Sequence, residues 1–326
     1  MLQNLADTLA GHNIAQYNTL VVTKDGRADP QRWREVRRRG SVRIYNERLS
    51  ALSHCPATPQ LLLLGTIEGK LEDIMYGAVA TTDEAMKIES ACTKDSVRDS
   101  KVLFEIVRPS FDDPFRTVAV KWRLYEGRDY VSLDATGIAG VRGRERIGYS
   151  ISHSVALSEI PNFEDTHRIE RGNMSVCALY RQKTPTTVEC YVRGFFDFKT
   201  KNECSRTCRS KPSPPSGRPT HGRCAVKKTV VALAPDQHTV LERKRSFCVS
   251  CMAAVESCDV MSIAREELVG HQEEESDDDD AYWARLSSMT VNSSCYSSIV
   301  SRQSSLASLD SFSRRSLMGR GGSDLA

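Results

Sequence analysis

Apolar and polar residues alternate along most of the chain between residues 100 and 195. In "FRTVAVKWRLY", Val118, Val120 and Trp122 fall on one side of an extended strand, and Lys121 and Arg123 fall on the other. The same period of two recurs in "VLFEIV", "DYVSLDATG", "RERIGYSISHSV", "NMSVCALYRQ" and "TTVECYVRGFF". This pattern predicts about six half-buried strands joined by short turns. Because few helical patterns interrupt them, we expect an antiparallel sheet.

A strand, a turn and a helix are predicted where the apolar run "LLLLG" passes into "GTIEGK" and "LEDIMYGAV". The apolar positions of this helix are Leu71, Ile74, Met75, Ala78 and Val79, which follow the helical period. A phosphate-binding loop needs four residues between its glycines and Ser or Thr after its lysine. Here three residues separate Gly65 from Gly69, and Leu71 follows Lys70. The turn therefore predicts no nucleotide site.

Two further helices are predicted before residue 100. Residues 30–50 begin after a proline, carry six arginines between Arg32 and Arg43, and are interpreted as a basic helix with its continuation. A solvated helix face and an anionic membrane partner are the two interpretations of these arginines. Thr81 and Glu84 have the spacing of a capping box and predict the start of the next helix.

Composition places the chain among intracellular globular proteins with an unfolded portion. It has 326 residues, 40% hydrophobic residues, a mean hydropathy of −0.41 and a net charge of +3, which is too balanced to indicate a nucleic-acid partner. No apolar run approaches the length of a membrane span, and the N-terminus lacks the pattern of a signal peptide. In a cytoplasmic protein, the eleven cysteines favour thiols or metal ligands over disulfides.

Residues 30–198 resemble the START (StAR-related lipid-transfer) family in the order and spacing of several segments. These segments are "GTIEGKLEDIMYG", "DDPFRTVAVKW", "EGRDYVSLDATG", "RIGYSISHSV" and "VECYVRGFFDF". The resemblance implies an α+β helix-grip fold, in which a curved antiparallel sheet and helices surround a hydrophobic tunnel for one lipid. The lipid would be a sterol or a phospholipid.

The resemblance also implies candidate lipid contacts. The family carries an Arg-Asp-aromatic motif on a central strand, which Arg128, Asp129 and Tyr130 match. Trp122 and Tyr149, on the apolar faces of other strands, complete the candidate set. From the residues alone, Arg128 and Asp129 are equally consistent with a turn at the rim, and this alternative stays open.

The chain departs from the START pattern after the last strand, where that family has a long helix closing the tunnel. Proline and cysteine residues after residue 198 preclude such a helix at that position. The amphipathic segment "CMAAVESCDVMSIAREELVG" is a later candidate. We therefore expect the lid of the tunnel to be displaced or missing.

Six of the cysteines cluster between residues 204 and 258. Cys248 and Cys251 have the spacing of a zinc knuckle. The cluster resembles a degenerate FYVE-type, treble-clef-like finger, whose implied ligands are Cys204, Cys208, His221, Cys224, Cys248 and Cys251. Because the first pair is spaced by three and Gly222 stands where the family has a cysteine, we expect at most one zinc ion.

The sequence thus predicts four regions: an N-terminal segment (1–29), a START-like domain (30–198), a finger with a helix (199–270) and a disordered acidic and Ser-rich tail (271–326). The predicted function is non-catalytic lipid binding, transfer or sensing in the cytoplasm. The finger would dock the protein peripherally to internal membranes or to protein partners. The alternatives are a lipid-free START-fold scaffold and, more remotely, a hydrolase, although "GYSISHS" is not a G-x-S-x-G motif.

Overall fold

The computed structural model describes residues 1–48, 60–141, 145–197, 225–234 and 239–273. The helices are α1 (Leu2–Asn18), α2 (Leu71–Ala78), α3 (Asp83–Thr93), α4 (Glu164–His167), α5 (Val249–Ser257) and α6 (Val260–Glu273). The strands that precede α4 are β1 (Trp33–Arg39), β2 (Val42–Glu47), β3 (Leu61–Glu68), β4 (Asp99–Val107), β5 (Thr117–Tyr125), β6 (Arg128–Val141) and β7 (Glu145–Ser154). Those that follow it are β8 (Glu170–Arg171), β9 (Asn173–Thr184), β10 (Thr187–Asp197), β11 (Ala225–Leu233) and β12 (Val240–Cys248).

A ten-stranded sheet organises the chain. Its strands follow the order β1-β2-β3-β10-β9-β7-β6-β5-β4, and β8 is attached to β6. All neighbours in this order are antiparallel, whereas the short β8 pairs with β6 in parallel. The α+β class and the antiparallel sheet predicted from alternation are confirmed. None of the described helices combines the length and the apolarity needed to cross a bilayer.

Alternation gives the sheet two apolar faces, each covered by different helices. The first, called the α1 face, packs against Ala6 and Ala10 of α1; its buried strand residues include Leu62, Val118, Val120, Val131, Leu133, Ile147, Leu179 and Tyr191. The second, called the α6 face, packs against α2 and α6; its buried strand residues are Ile67, Ala178, Tyr180, Val188 and Cys190. Successive side chains of a strand point to opposite faces of the sheet. Two adjacent residues of one strand therefore cannot both contribute to a site on one face.

The basic helix predicted in residues 30–50 is wrong, because β1 and β2 form an antiparallel hairpin there. Arg39 pairs with Val42, so the turn consists of Gly40 and Ser41, and Gly40 has a φ of +56° that favours glycine. Trp33 of β1 and the adjacent residues Ile44 and Tyr45 of β2 are buried. Arginine favours helices by propensity, but burial of these apolar residues against the sheet outweighs that preference.

The predicted helices after β3 are confirmed as α2 and α3, with one correction to a cap. The hydroxyl of Thr82, and not that of Thr81, accepts a hydrogen bond from the Ala85 N–H at 3.1 Å. Sequence analysis predicted no helix in residues 1–29, where α1 lies.

The C-terminal described residues form a hairpin, β11–β12, followed by α5 and α6. Val260, Ile263 and Ala264 of α6 are buried with strand residues of the α6 face. The Tyr76 hydroxyl of α2 donates to Glu267 of α6 at 2.6 Å. A C-terminal helix therefore covers this face, displaced along the chain beyond the hairpin.

Candidate functional site

Three of the five predicted lipid contacts point to the α1 face. Asp129 is fully buried, accepts a hydrogen bond from Trp122 Nε1 at 2.8 Å, and forms a salt bridge with Arg171 Nε at 2.8 Å. Tyr149 is buried in the core under α1, and its hydroxyl accepts a hydrogen bond from Arg116 Nη1 at 3.0 Å. These polar groups satisfy one another within the protein.

The other two predicted contacts, Arg128 and Tyr130, alternate with Asp129 and point to the opposite side of β6. Arg128 Nη2 lies 2.7 Å from Glu170 Oε2 of β8, at the end of the strand. Tyr130 is buried edge-on against the ring of Tyr125 at a centroid distance of 5.6 Å. The five residues thus do not form one cluster, and their contact with a lipid stays a prediction.

A buried charged cluster lies on the α6 face of β5 and β6, where sequence analysis identified no site. Arg123 Nη2 lies 2.6 Å from Asp134 Oδ2, and Lys121 Nζ lies 3.8 Å from the same oxygen. Ser132 Oγ donates to Asp134 Oδ1 at 2.7 Å. The side chains of Lys121 and Asp134 are 6% and 9% exposed. Charges so deeply buried normally require partners, and Asp134 is the partner of both cations.

The environment shifts the pKa values of this cluster in opposing directions. Burial raises the pKa of Asp134, but Arg123 and Lys121 outweigh burial and hold this pKa below its ordinary value. Burial lowers the pKa of Lys121, and Asp134 opposes that shift. Glu89 of α3 also faces the two cations, and burial raises its pKa. Two cations and two acids therefore share this part of the interior.

Lys121 is the member of the cluster with unused hydrogen-bonding capacity. An ammonium group has three N–H donors, yet among the described residues Lys121 makes no hydrogen bond, and its ion pair with Asp134 is long. Arg123, in contrast, donates to both Ser132 and Asp134. The free donors of this ammonium group suit an acceptor oxygen supplied by a ligand.

A strip of half-buried residues leads away from the charged cluster across the α6 face. Asp134 lies opposite Ser152 of β7, which lies opposite Val176 of β9. Further along the register, Ala178 pairs with Val192 of β10, which pairs with Leu63 of β3. Ser152, Val176, Val192 and Leu63 are only half-buried. The strip is polar beside the charged cluster and apolar toward β3.

The serines and the histidine of "GYSISHS" point to different faces of β7. Ser150, Ser152 and Ser154 share the α6 face, whereas His153 faces the other way. His153 Nδ1 and Ser175 Oγ of β9 are 2.9 Å apart, and burial lowers the pKa of His153. This histidine thus forms a cross-strand hydrogen bond with a serine outside the motif.

The predicted zinc ligands Cys204, Cys208, His221 and Cys224 lie outside the described residues. Cys248 is the last residue of β12 and Cys251 belongs to α5. Within the described ranges, no group of three or more His, Cys, Asp or Glu side chains has the geometry of a metal site. The zinc ion stays a prediction.

No family model and no curated protein matches the chain. Three human proteins are among the solved structures that resemble it. Human STARD10 has 15% identity, a TM-score of 0.36 and coverage of 53% of this chain and 63% of its own, which is less than two thirds. Human StAR-related lipid transfer protein 5 has 14% identity, a TM-score of 0.43 and coverage of 62% and 85%. The lipid transfer and protein localization domain of human StarD13 (DLC2) has 11% identity, a TM-score of 0.37 and coverage of 52% and 77%. At such low identity these likenesses concern the fold alone.

Proposed function

We propose that this chain binds one lipid molecule, without catalysis, between the sheet and the helices of the α6 face. The unused donors of buried Lys121 carry the proposal, because they call for an acceptor oxygen at a site connected to an apolar strip. The headgroup would meet Lys121 beside Arg123 and Asp134. The hydrocarbon part would follow the strip toward Leu63.

The two ends of the site suit an amphiphile. Each methylene group removed from water contributes about 0.8 kcal/mol, so an acyl chain or a sterol ring system supplies the affinity. The charged cluster supplies orientation, since few polar groups in an apolar pocket fix a ligand's direction. The headgroup must offer an acceptor oxygen, which a sterol hydroxyl, a phosphate or an ester carbonyl provides.

In this proposal, Trp122, Asp129 and Tyr149 stabilise the sheet from the α1 face and do not touch the lipid. Arg128 and Glu170 close the end of β6 beside the cluster. The candidate contacts are instead Lys121, Ser152, Val176 and Val192.

The test is native mass spectrometry of the purified chain, combined with uptake of a fluorescent sterol and a fluorescent phospholipid. Ser152→Leu places a larger side chain in the strip and is expected to abolish uptake. Ser175→Leu is the matched control. Ser175 precedes Val176, the partner of Ser152 on β9, and its side chain points to the α1 face. Lys121→Met keeps the length of the side chain and removes its donors. It is expected to weaken uptake at least tenfold, because that is the effect of losing one hydrogen bond to a charged group. Uptake by Ser152→Leu equal to that of the unmodified chain would refute this location.

A lipid-free scaffold is the second candidate. Val260, Ile263 and Ala264 belong to the same buried cluster as Ala178 and Cys190, which favours a filled interior over part of the α6 face. The same mass spectra separate the two functions. A chain that carries no lipid and takes up neither probe would be assigned to the scaffold class.

A further inference from the structure

A cavity lies on the α1 face of the sheet, on the side away from the proposed lipid. Its volume is about 670 Å³. The C-terminal end of α1, the segment before β1, the β1–β2 turn and the ends of β3, β9 and β10 enclose it. Four of its lining residues are cations, namely Arg38, Arg43, Arg181 and Lys183, and two are acids, namely Asp25 and Glu189.

A well-defined turn borders the cavity between α1 and β1. The Thr23 N–H donates to the Arg27 carbonyl at 2.7 Å, and the Asp29 N–H donates to the Val21 carbonyl at 3.1 Å. Ala28 is buried, and its N–H donates to the Tyr45 hydroxyl at 3.4 Å. These contacts fix the turn against the sheet, so its tip is a defined protrusion.

Two valines are exposed on this protrusion. Val21 is 66% exposed and Val22 is 44% exposed, and Val22 also lines the cavity. A single exposed valine needs no explanation, but here two adjacent ones lie at the base of the turn, next to the cavity, and Lys24, Asp25 and Gly26 form its tip.

Positive charge is concentrated around the same turn and in the β1–β2 hairpin that follows it. Residues 20–48 contain nine Lys or Arg residues and four acids, a net charge of +5, whereas the whole chain has only +3. Two of these acids are already paired, Glu35 with Arg43 and Glu47 with Arg32. Within the ranges that the structure describes, Lys24, Arg27 and Arg38 form no salt bridge, and all three are exposed.

We propose that these residues dock the protein onto an anionic bilayer. The docking surface consists of Val21, Val22, Lys24, Arg27 and Arg38 around the cavity. The valines would enter the interfacial region, the three cations would face anionic headgroups, and one headgroup phosphate would enter the cavity beside Arg38. Exposed valines beside exposed cations are complementary to such a surface, because they combine apolar burial with charge attraction.

The same features favour a bilayer over a nucleic acid. Proteins that hold single strands stack bases on aromatic side chains, and the exposed apolar residues beside this turn are valines. Tyr17 lines the cavity, but its hydroxyl donates to Glu189 at 2.5 Å and its ring packs on Tyr191. Valine adds nothing to phosphate recognition, whereas it adds affinity for lipid.

Vesicle flotation tests the proposal with the full chain. The vesicles contain phosphatidylcholine alone, phosphatidylcholine with phosphatidylserine, or phosphatidylcholine with a phosphoinositide. The chain is expected to float with both anionic mixtures and not with phosphatidylcholine alone. Binding to the phosphatidylserine mixture is expected to weaken as salt is raised.

Matched variants locate the surface. Arg38→Glu is expected to lower the vesicle-binding constant roughly tenfold, as two units of charge change near the membrane. The double variant Val21→Ser and Val22→Ser is expected to lower it to a similar extent with charge unchanged. The controls are Lys101→Glu and Phe104→Ser, which change two exposed residues of β4. This strand lies at the other end of the sheet order from β1. All variants are compared for thermal unfolding, since only folded variants are informative.

Several outcomes would overturn the proposal. One is flotation that the β4 controls reduce as much as the variants of the docking surface. Another is tight binding of a soluble inositol polyphosphate without flotation, which would assign the cavity to a free phosphorylated ligand. A third is binding of an RNA oligonucleotide that the valine variants leave unchanged, with no flotation. Lys121→Met separates this surface from the proposed lipid site, because it is expected to impair uptake and to leave flotation unchanged.

Discussion

At the scale of single residues, charge compensation inside the sheet is the feature on which lipid binding depends. Asp134 is the acid that both Arg123 and Lys121 contact directly. The cations keep its carboxylate ionised in spite of burial, and the carboxylate in turn keeps two buried cations tolerable. Removing a member of the cluster therefore affects the free energy of unfolding as well as the ligand.

Asp134→Ala is expected to lower the free energy of unfolding by about 3–5 kcal/mol at neutral pH, because it leaves Arg123 and Lys121 buried without their partner. The control is Glu126→Ala, whose partner Arg98 is exposed and which is expected to change stability by less than about 1 kcal/mol. Urea denaturation measures both.

The pH dependence of the same variant follows from the lowered pKa of Asp134. Its contribution is present above the unfolded-state pKa of about 3.9 and is lost as pH falls through the lower folded-state value. The stability difference between the unmodified chain and Asp134→Ala is therefore expected to shrink below about pH 4. A difference that stays constant down to acid pH would contradict the assigned ion pairs.

The sequence could predict the strands of this site but not its charged cluster. Alternation places Lys121 and Arg123 on one side of β5, and a half-buried strand normally turns such a polar side to water. In the structure this side of β5 is covered by the protein. The cover depends on how α2, α3 and α6 are arranged, which alternation along a strand does not predict. A usable signal existed in β6, where Ser132 and Asp134 repeat at the same spacing and offer partners for the two cations. The same limit applies to Asp129, whose partner Arg171 lies forty-two residues away in the chain.

At the scale of elements, local preference and tertiary packing compete most visibly in β1 and β2. The arginine-rich run has a helical propensity, yet its apolar residues belong to the sheet core. The helix α1 was missed for a related reason, since its buried residues Ala6 and Ala10 are small and give a weak pattern. The long strands β5, β6, β7, β9 and β10 were predictable because their alternation is strong.

Two glycine substitutions test the assignments of α1 and of the β1–β2 turn, and they are expected to change the free energy of unfolding in opposite directions. Gly11 lies inside α1 with open space at its Cβ position, so Gly11→Ala is expected to raise the free energy of unfolding by about 0.5–1 kcal/mol. Gly40 also has open space, but its φ is +56° in the β1–β2 turn. Gly40→Ala is therefore expected to lower stability by about 1–2 kcal/mol. If residues 30–50 formed a helix, Gly40→Ala would be stabilising too.

At the scale of the whole molecule, the sheet separates two proposed functions. The α6 face carries the charged cluster and the apolar strip, and the α1 face carries the basic cavity and the exposed valines. The strand order places β1 and β4 at opposite ends of the sheet, so docking by the β1 end leaves the β4 end away from the membrane. Access of a lipid to its site then depends on the cover formed by α5 and α6, which follows the β11–β12 hairpin in the chain.

Two truncations test whether α6 is that cover. Ending the chain at Asp259 removes the buried Val260 and Ile263 and the hydrogen bond between Tyr76 and Glu267. Each large apolar side chain contributes about 1.5–3 kcal/mol when buried, so the loss of unfolding free energy is expected to be on the order of 5 kcal/mol. Ending the chain at Glu273 removes a segment whose acidic and Ser-rich composition favours little burial, and it is expected to change stability by less than about 0.5 kcal/mol. Native mass spectrometry should find lipid retained by the longer chain and lost from the shorter one, because the apolar strip is then open to water. If the chain ending at Asp259 kept both its stability and its lipid, α6 would not be the cover of the site, and the hydrocarbon would have to be enclosed by α2 and the sheet alone.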